Sequence, residues 1–190
     1  MTVAGLVLAA GAGSRFGRPK ADIVVAGERL VDRAVDVLAA GGCGPVVVVS
    51  GALRLHVEGA IVVHNDAWAS GMASSLRRGL AALPADATAT VVLLVDTPWL
   101  GADSVRRVIS AHLAGATLAV ATYDGRRGHP VLLGREHWAG VAAAATGDAG
   151  ARGYLAGRPD VVEVDCTGTG DPTDVDVPQT LHPGRGLSGS

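Results

Sequence analysis

Residues 8–20, Leu8-Ala9-Ala10-Gly11-Ala12-Gly13-Ser14-Arg15-Phe16-Gly17-Arg18-Pro19-Lys20, bring together what phosphate binding needs. Small residues let backbone N–H groups approach an anion closely, and cations beside them supply charge. Lys20 is the only lysine in the chain, against fifteen arginines. A GC-rich coding bias would explain the depletion, but not why one lysine survives here. An ammonium is a compact point charge for phosphate that the planar guanidinium does not reproduce. Two familiar phosphate motifs are absent. In the dinucleotide pattern GxGxxG, Gly11 and Gly13 would be followed by Gly, but Phe16 stands there and Gly17 comes one residue late. The pattern GxxxxGK[ST] fails because Lys20 follows Pro19 and precedes Ala21. What is left is an open loop with Arg15 four residues after Gly11 and Lys20 five further on. Such a spread suits a flexible triphosphate and a departing pyrophosphate. The plain alternative is a surface turn with incidental charge.

Asp96 follows Val91-Val92-Leu93-Leu94-Val95 and precedes Thr97-Pro98. A carboxylate ending a buried apolar run is costly unless paired or bound to a cation. Mg²⁺ on a nucleotide takes one or two protein carboxylates plus phosphate oxygens, and Asp174-Val175-Asp176 offers a second. For Asp96 the plain alternative is a turn residue before proline; for the 174–176 pair it is an ordinary loop. Ser74 and Ser75 fall in the first turn of a predicted helix, where hydroxyls serve as caps or meet polar ligand atoms. His129, between Gly128 and Pro130, is a substrate-binding candidate or a loop residue. None of the six histidines has zinc spacing, and no GxSxG or Ser-His-Asp pattern appears.

The elements that must position these groups alternate. Residues 3–8, 46–49, 61–63, 91–95, 117–122, 131–133 and 161–164 read as strands, and most are apolar on both faces. Helical spacing covers 30–38, with Asp32, Arg33 and Asp36 on the outer face, and recurs at 72–83, at 104–113 and around 135–145. A second short helix ends at Gly157, residues 21–26 read as an extended piece, residues 124–130 as a polar loop, and 51–60 carry no clear period. The pattern predicts an α/β, Rossmann-like three-layer sandwich with a mostly parallel sheet, and in such folds sites lie past the carboxyl ends of the strands. The opening loop, the 65–75 segment, Asp96 and the 124–130 loop all follow strands, so they can converge on one edge. One domain over residues 1–181 and a disordered tail over 182–190 are expected.

At 190 residues and a formal charge of −2, the chain has no basic stripe for nucleic acid or an anionic membrane. Cys43 and Cys166 show no CxxC spacing and read as two reduced thiols. No apolar stretch approaches the ~20 residues of a membrane span, and the N-terminus lacks a signal-peptide pattern, so a soluble cytoplasmic protein is expected.

The stretch Leu8-Ala9-Ala10-Gly11-x-x-x-Arg15-Phe16-Gly17-x-x-Lys20 resembles the signature of nucleotidyltransferases that act on nucleoside triphosphates, of the nucleotide-diphospho-sugar transferase type. Asn65-x-x-Trp68-x-x-Gly71-Met72-x-Ser74-Ser75-Leu76, Asp96-Thr97-Pro98, Arg127-Gly128-His129-Pro130 and Gly147-Asp148-x-Gly150-Ala151-Arg152 together resemble the molybdenum-cofactor cytidylyltransferases. The resemblance implies Mg²⁺-dependent transfer of CMP from CTP to the terminal phosphate of the molybdopterin cofactor, with release of pyrophosphate. It implies that Arg15 and Lys20 hold the triphosphate, and that Asp96, with Asp176, binds Mg²⁺. Ala9, Ala10, Gly11, Ala12, Gly13 and Ser75 would line the nucleotide pocket. Ser74, His129, Asp148 and Gly150 would meet the acceptor. The same chemistry with GTP or another triphosphate, or with a sugar-phosphate acceptor, uses the same parts. Thr97 stands where the family usually has Gln, and Val177-Pro178-Gln179-Thr180 where it has Thr-Pro-Glu-Asp. These departures leave room for a non-catalytic cofactor carrier, or a partner of a molybdoenzyme or its maturation factor.

Overall fold

The computed structural model describes residues 1–14 and 16–175. Arg15, Asp176 and the 182–190 tail therefore lie outside the described residues. Strand β1 (Thr2–Leu8) runs into the opening loop, which ends in a 3-10 turn (Lys20–Asp22) and a small hairpin, β2 (Val24–Val25) and β3 (Glu28–Arg29). Residues 21–26, read as one extended piece, are thus a turn followed by a strand. Helix α1 (Leu30–Ala40) leads to β4 (Val46–Ser50) and β5 (Ala60–His64). A 3-10 turn (Trp68–Ser70) precedes α2 (Met72–Ala82), β6 (Ala87–Leu94) and α3 (Ala102–Leu113). Then come β7 (Leu118–Tyr123), β8 (Arg126–Gly134), a 3-10 turn (Arg135–His137), α4 (Trp138–Ala144), α5 (Arg152–Leu155) and β9 (Val161–Asp165). The expected 135–145 helix is therefore a turn followed by a shorter helix. Among the described residues no helix is long and apolar enough to cross a membrane.

The main sheet has the order β5-β4-β1-β6-β8-β7-β9. Only β8 is reversed, pairing antiparallel with both β6 and β7, so the sheet is mixed but mostly parallel. Alternation along each strand sends its side chains to two separate cores. From β1, Val3 and Val7 join α1 and α3 on one face. Ala4, Leu6 and Leu8 join α2, α4 and α5 on the other. Burial on both faces is why these strands read as continuous apolar runs. Cys43 and Cys166 are buried and unpaired.

The 124–130 segment is mostly strand. Asp124 and Gly125 take φ of 49° and 76°, and Tyr123 pairs with Arg126 across them. Positive φ at both central residues of a two-residue loop is the type I′ hairpin geometry that Asp-Gly favours. Strand β8 therefore starts at Arg126, and its polar first half pairs only with β7; pairing with β6 begins at Val131.

Leu6 is fully buried at the centre of the second core. It fills the space left by Gly79 on α2, where an added Cβ would come within 2.5 Å of its Cδ1. Val49 Cγ2 closes the same hollow from β4, 3.0 Å from that Cβ position. Leu6→Ala is expected to lower unfolding stability by about 2–5 kcal/mol, read as a drop in the denaturation midpoint at unchanged slope.

Candidate active site

Strands β1 and β6 are neighbours, and Leu8 stands opposite Leu94 in their register. The opening loop and Asp96 therefore leave the sheet side by side. Gly13 turns the loop back: its φ is 62°, and its carbonyl accepts hydrogen bonds from the Phe16 and Gly17 amides at 2.9 and 2.8 Å. A Cβ there would lie 2.0 Å from the Arg18 carbonyl oxygen, so only glycine fits. The result is an ion pair, Lys20 Nζ to Asp96 Oδ2 at 3.0 Å, with the two side chains 13% and 25% exposed.

The other oxygen, Asp96 Oδ1, is buried and has no hydrogen-bond partner among the described residues. An anionic oxygen left so is costly, and it suits a cation brought with the ligand. Among the described residues no three His, Cys, Asp or Glu side chains converge as a metal cage. A hard cation that keeps its phosphate oxygens and waters needs only one or two carboxylates, so Asp96 fits such an ion. The Thr97 hydroxyl donates to the Leu94 carbonyl at 2.9 Å, so it is committed to the backbone.

Two cavities meet at this edge. The smaller, about 520 Å³, is lined by Ala10, Gly11, Ala12, Gly13, Lys20, Ser75 and Asp96, with Trp68 and Met72. Ala9 is not in this wall; it packs into the α1–α3 core beneath. Ser74, expected to meet the acceptor, is among the lining residues of neither this cavity nor the larger one beside it. It is buried behind Ser75, with its hydroxyl shared between the Gly71 carbonyl at 2.8 Å and the Ala67 carbonyl at 3.0 Å. Sequence position alone does not separate two adjacent serines; helix rotation does.

The larger cavity, about 930 Å³, is lined by His129, Asp148 and Gly150. Its floor is apolar, with Leu76, Val120, Val131 and Leu155, and its rim carries Arg126, Arg127, Arg152 and Asp174. Arg126 and Arg127 fall in the stretch that reads from the sequence as a polar loop; the Asp124-Gly125 turn brings them to this edge. Asp174 arrives because the segment after β9 returns over the Asp96 loop. The Asp171 amide donates to the Trp99 carbonyl at 3.1 Å, and the Val175 amide to the Asp96 carbonyl at 2.8 Å.

Leu8, Met72, Leu94 and Asp148 line both cavities and form their common wall. Asp148 Oδ1 accepts the Met72 amide at 3.2 Å, and the Gly147 carbonyl accepts the Ala73 amide at 2.9 Å. A loop 76 residues away in sequence thus caps the first turn of α2. Gly71 permits the approach: at φ 108°, an added Cβ would sit 2.7 Å from the Gly147 oxygen.

His129 is held by the backbone: the Tyr123 hydroxyl donates to its carbonyl at 2.9 Å. Burial pushes its imidazole from 6.5 down to about 4; the Asp96 carboxylate opposes this and the Arg152 cation adds to it. The ring is therefore neutral at physiological pH, able to donate from one nitrogen and accept at the other. Between pH 6.5 and about 4 the unfolded chain carries a proton at this position that the folded chain lacks. Its contribution is fully present above pH 6.5 and is lost as the pH falls toward 4. An imidazole NMR titration should give a midpoint near 4, and His129→Gln should flatten the acid-side loss of stability. A midpoint at or above 6.5 would contradict the assignment.

The family described as the MobA-like NTP transferase domain matches residues 5–162. Nicotine blue oxidoreductase of Paenarthrobacter nicotinovorans is 37% identical over 194 residues, covering 95% of each chain. A probable molybdenum cofactor guanylyltransferase of Opitutus terrae is 38% identical over 106 residues, 52% of each chain. Among solved structures, Rv0371c of Mycobacterium tuberculosis H37Rv superposes with a TM-score of 0.79 at 29% identity, covering 93% of this chain and 94% of that one. The same protein in complex with manganese gives 0.74 at 27%, covering 92% and 94%. With the mixed sheet, the small-residue loop and the paired Lys20 and Asp96 in place, the chain belongs to the MobA-like NTP transferase family.

Proposed function

We propose that this chain transfers a nucleoside monophosphate from a nucleoside triphosphate to the terminal phosphate of a molybdopterin-type acceptor, releasing pyrophosphate. The observation that carries this reading is the Lys20–Asp96 pair, 3.0 Å apart in a small cavity that shares a wall with a larger one. The small cavity takes the nucleotide, and the large one takes the acceptor, whose rings rest on the apolar floor. An acceptor phosphate oxygen attacks the α-phosphorus, a new P–O bond forms, and the bond to the β-phosphate breaks. The leaving pyrophosphate takes the electron pair. Lys20 and Arg15 meet its negative charge, and the Gly11–Gly13 backbone keeps the phosphates close. Asp96, with Asp176 as a second carboxylate, would hold a divalent ion such as Mg²⁺, which supplies charge neutralisation on the phosphates when bound. Neutral His129, Asp148 and Gly150 orient the acceptor across the shared wall. Alignment and charge complementarity suffice for this chemistry, and no protein nucleophile is required.

The motif set resembles the cytidylyl branch, whereas a relative over half the chain is named a guanylyltransferase. GTP and CTP are therefore both within this proposal, and turnover with each separates them. A second reading comes from the relative named nicotine blue oxidoreductase, which matches over nearly the whole chain. In it the same two cavities hold an organic substrate and a redox partner, and no pyrophosphate is released.

The deciding assay mixes the chain with Mg²⁺, each of the four nucleoside triphosphates and the phosphorylated pterin cofactor, and measures pyrophosphate. Lys20→Ala and Asp96→Ala should each lower turnover about 10²-fold or more, the scale of one lost preorganised electrostatic contact. A change below about threefold at both positions would remove their assigned roles. Bleaching of nicotine blue with a reduced nicotinamide as electron donor, without pyrophosphate from any triphosphate, would establish the redox reading instead.

A further inference from the structure

Asn65 follows β5, is 5% exposed, and carries a hydrogen-bond polarity that can be read without ambiguity. The Ala67 amide, which can only donate, lies 3.1 Å from Asn65 Oδ1. The side-chain nitrogen must therefore face α2. Its two N–H groups reach Ser74 Oγ at 2.9 Å and Ser75 Oγ at 3.0 Å. An amide nitrogen only donates, so both hydroxyls accept here, and each has one hydrogen to place elsewhere. Ser74 places its hydrogen on the backbone carbonyls behind the wall. Ser75, 4% exposed, has no acceptor for its own among the described residues, and it lines the smaller cavity. A buried donor with no internal acceptor costs free energy unless a ligand or water accepts from it.

We propose that Asn65 is a positioning residue that locks the Ser75 hydroxyl as a hydrogen-bond donor toward the bound nucleotide, so that this wall selects an acceptor oxygen. The oxygen belongs to the nucleoside part. Ser75 shares its stretch of wall with Trp68, Ala69 and Met72, surfaces suited to a base or ribose, while Lys20 and the opening loop supply the contacts suited to phosphate. Asn65 itself is not among the lining residues; it acts through Ser75. This inference rests on the reading of the small cavity as the nucleotide site.

Asn65→Asp tests the polarity with little change of shape. One carboxylate oxygen keeps the Ala67 amide, while the other can only accept, turning the Ser75 hydrogen away from the cavity. CTP and GTP dissociation constants are measured by calorimetry for the unmodified chain, Asn65→Asp, Ser75→Ala and the double variant. Each single substitution should weaken the better-bound nucleotide about 3- to 10-fold, the scale of one hydrogen bond. In the Ser75→Ala background, Asn65→Asp should add nothing. An equal loss in both backgrounds would make Asn65 a merely structural residue and overturn the proposal. Should Asn65→Asp fail to fold, Ser75→Ala decides alone: an unchanged dissociation constant overturns the proposal while leaving the nucleotide reading intact. Absence of CTP and GTP binding by the unmodified chain overturns that reading and this inference with it.

Discussion

Two opposite charges 3.0 Å apart, Lys20 and Asp96, stand at the carboxyl end of the sheet, and among the described residues its buried interior holds no charged side chain. Strands buried on both faces confine ionised groups to their ends, because desolvating a lone charge within the layers costs far more than any packing returns. Adjacent, parallel β1 and β6 bring two such ends together. Pairing lowers the cost of partial burial for both groups, yet it uses only one of the two Asp96 oxygens. The two loops are thus tied by their own ion pair, while the second Asp96 oxygen stays buried with no hydrogen-bond partner among the described residues. Removing Lys20 takes its cation from a partly buried Asp96 carboxylate, at a cost in stability.

Beside this pair the two cavities share a wall of Leu8, Leu94, Asp148 and Met72, the last from the first turn of α2. That turn is gripped from two sides. Asn65 holds its serines from the β5 side, and the Gly147–Asp148 segment caps its amides from the α4–α5 side. Asp148 faces both cavities while it caps Met72. The 147–150 loop and the helix that carries Ser75 are therefore joined by direct hydrogen bonds, Met72 to Asp148 and Ala73 to Gly147. The two subsites share a structural element, not merely a boundary.

The sandwich was legible because each of its strands announces itself as an apolar run, and the amphipathic helices between them show which faces turn inward. The first half of β8 was not, for a physical reason. Residues 126–130 extend beyond the start of pairing with β6 at Val131, and 126–129 border the large cavity. Composition there reports the cavity border instead of the ladder with β7. Lys20, Asp96 and His129 stood out by residue type. Ser74 and Ala9 did not separate from their neighbours, because which of two adjacent residues faces a cavity depends on helix rotation and strand parity. Asn65 carried no signal of its own role. Its oxygen is fixed by an ordinary turn contact with the amide two residues on, but that its nitrogen then meets Ser74 and Ser75 depends on how β5 and α2 pack.

The solitary lysine also becomes intelligible when the arginines are seen at work. Arg33 donates to the Pro98 carbonyl, Arg77 to Ala145 at 2.8 Å, Arg106 to Ala40 at 2.7 Å and Arg107 to Asp165 at 2.6 Å. Arg135 spans the Ala85 and Ala87 carbonyls at 2.7 and 3.1 Å. These are tasks for a planar, multi-donor fork that staples helix ends and loops to one another. Codon bias that replaces lysine by arginine is harmless at such positions and often favourable. At position 20 the requirement is different: a compact charge on a flexible stem that pairs with Asp96 through one oxygen. A guanidinium there would tend to engage both carboxylate oxygens at once and close off Asp96 Oδ1. Keeping lysine keeps that oxygen available, so the composition anomaly and the orphaned oxygen are two sides of the same constraint.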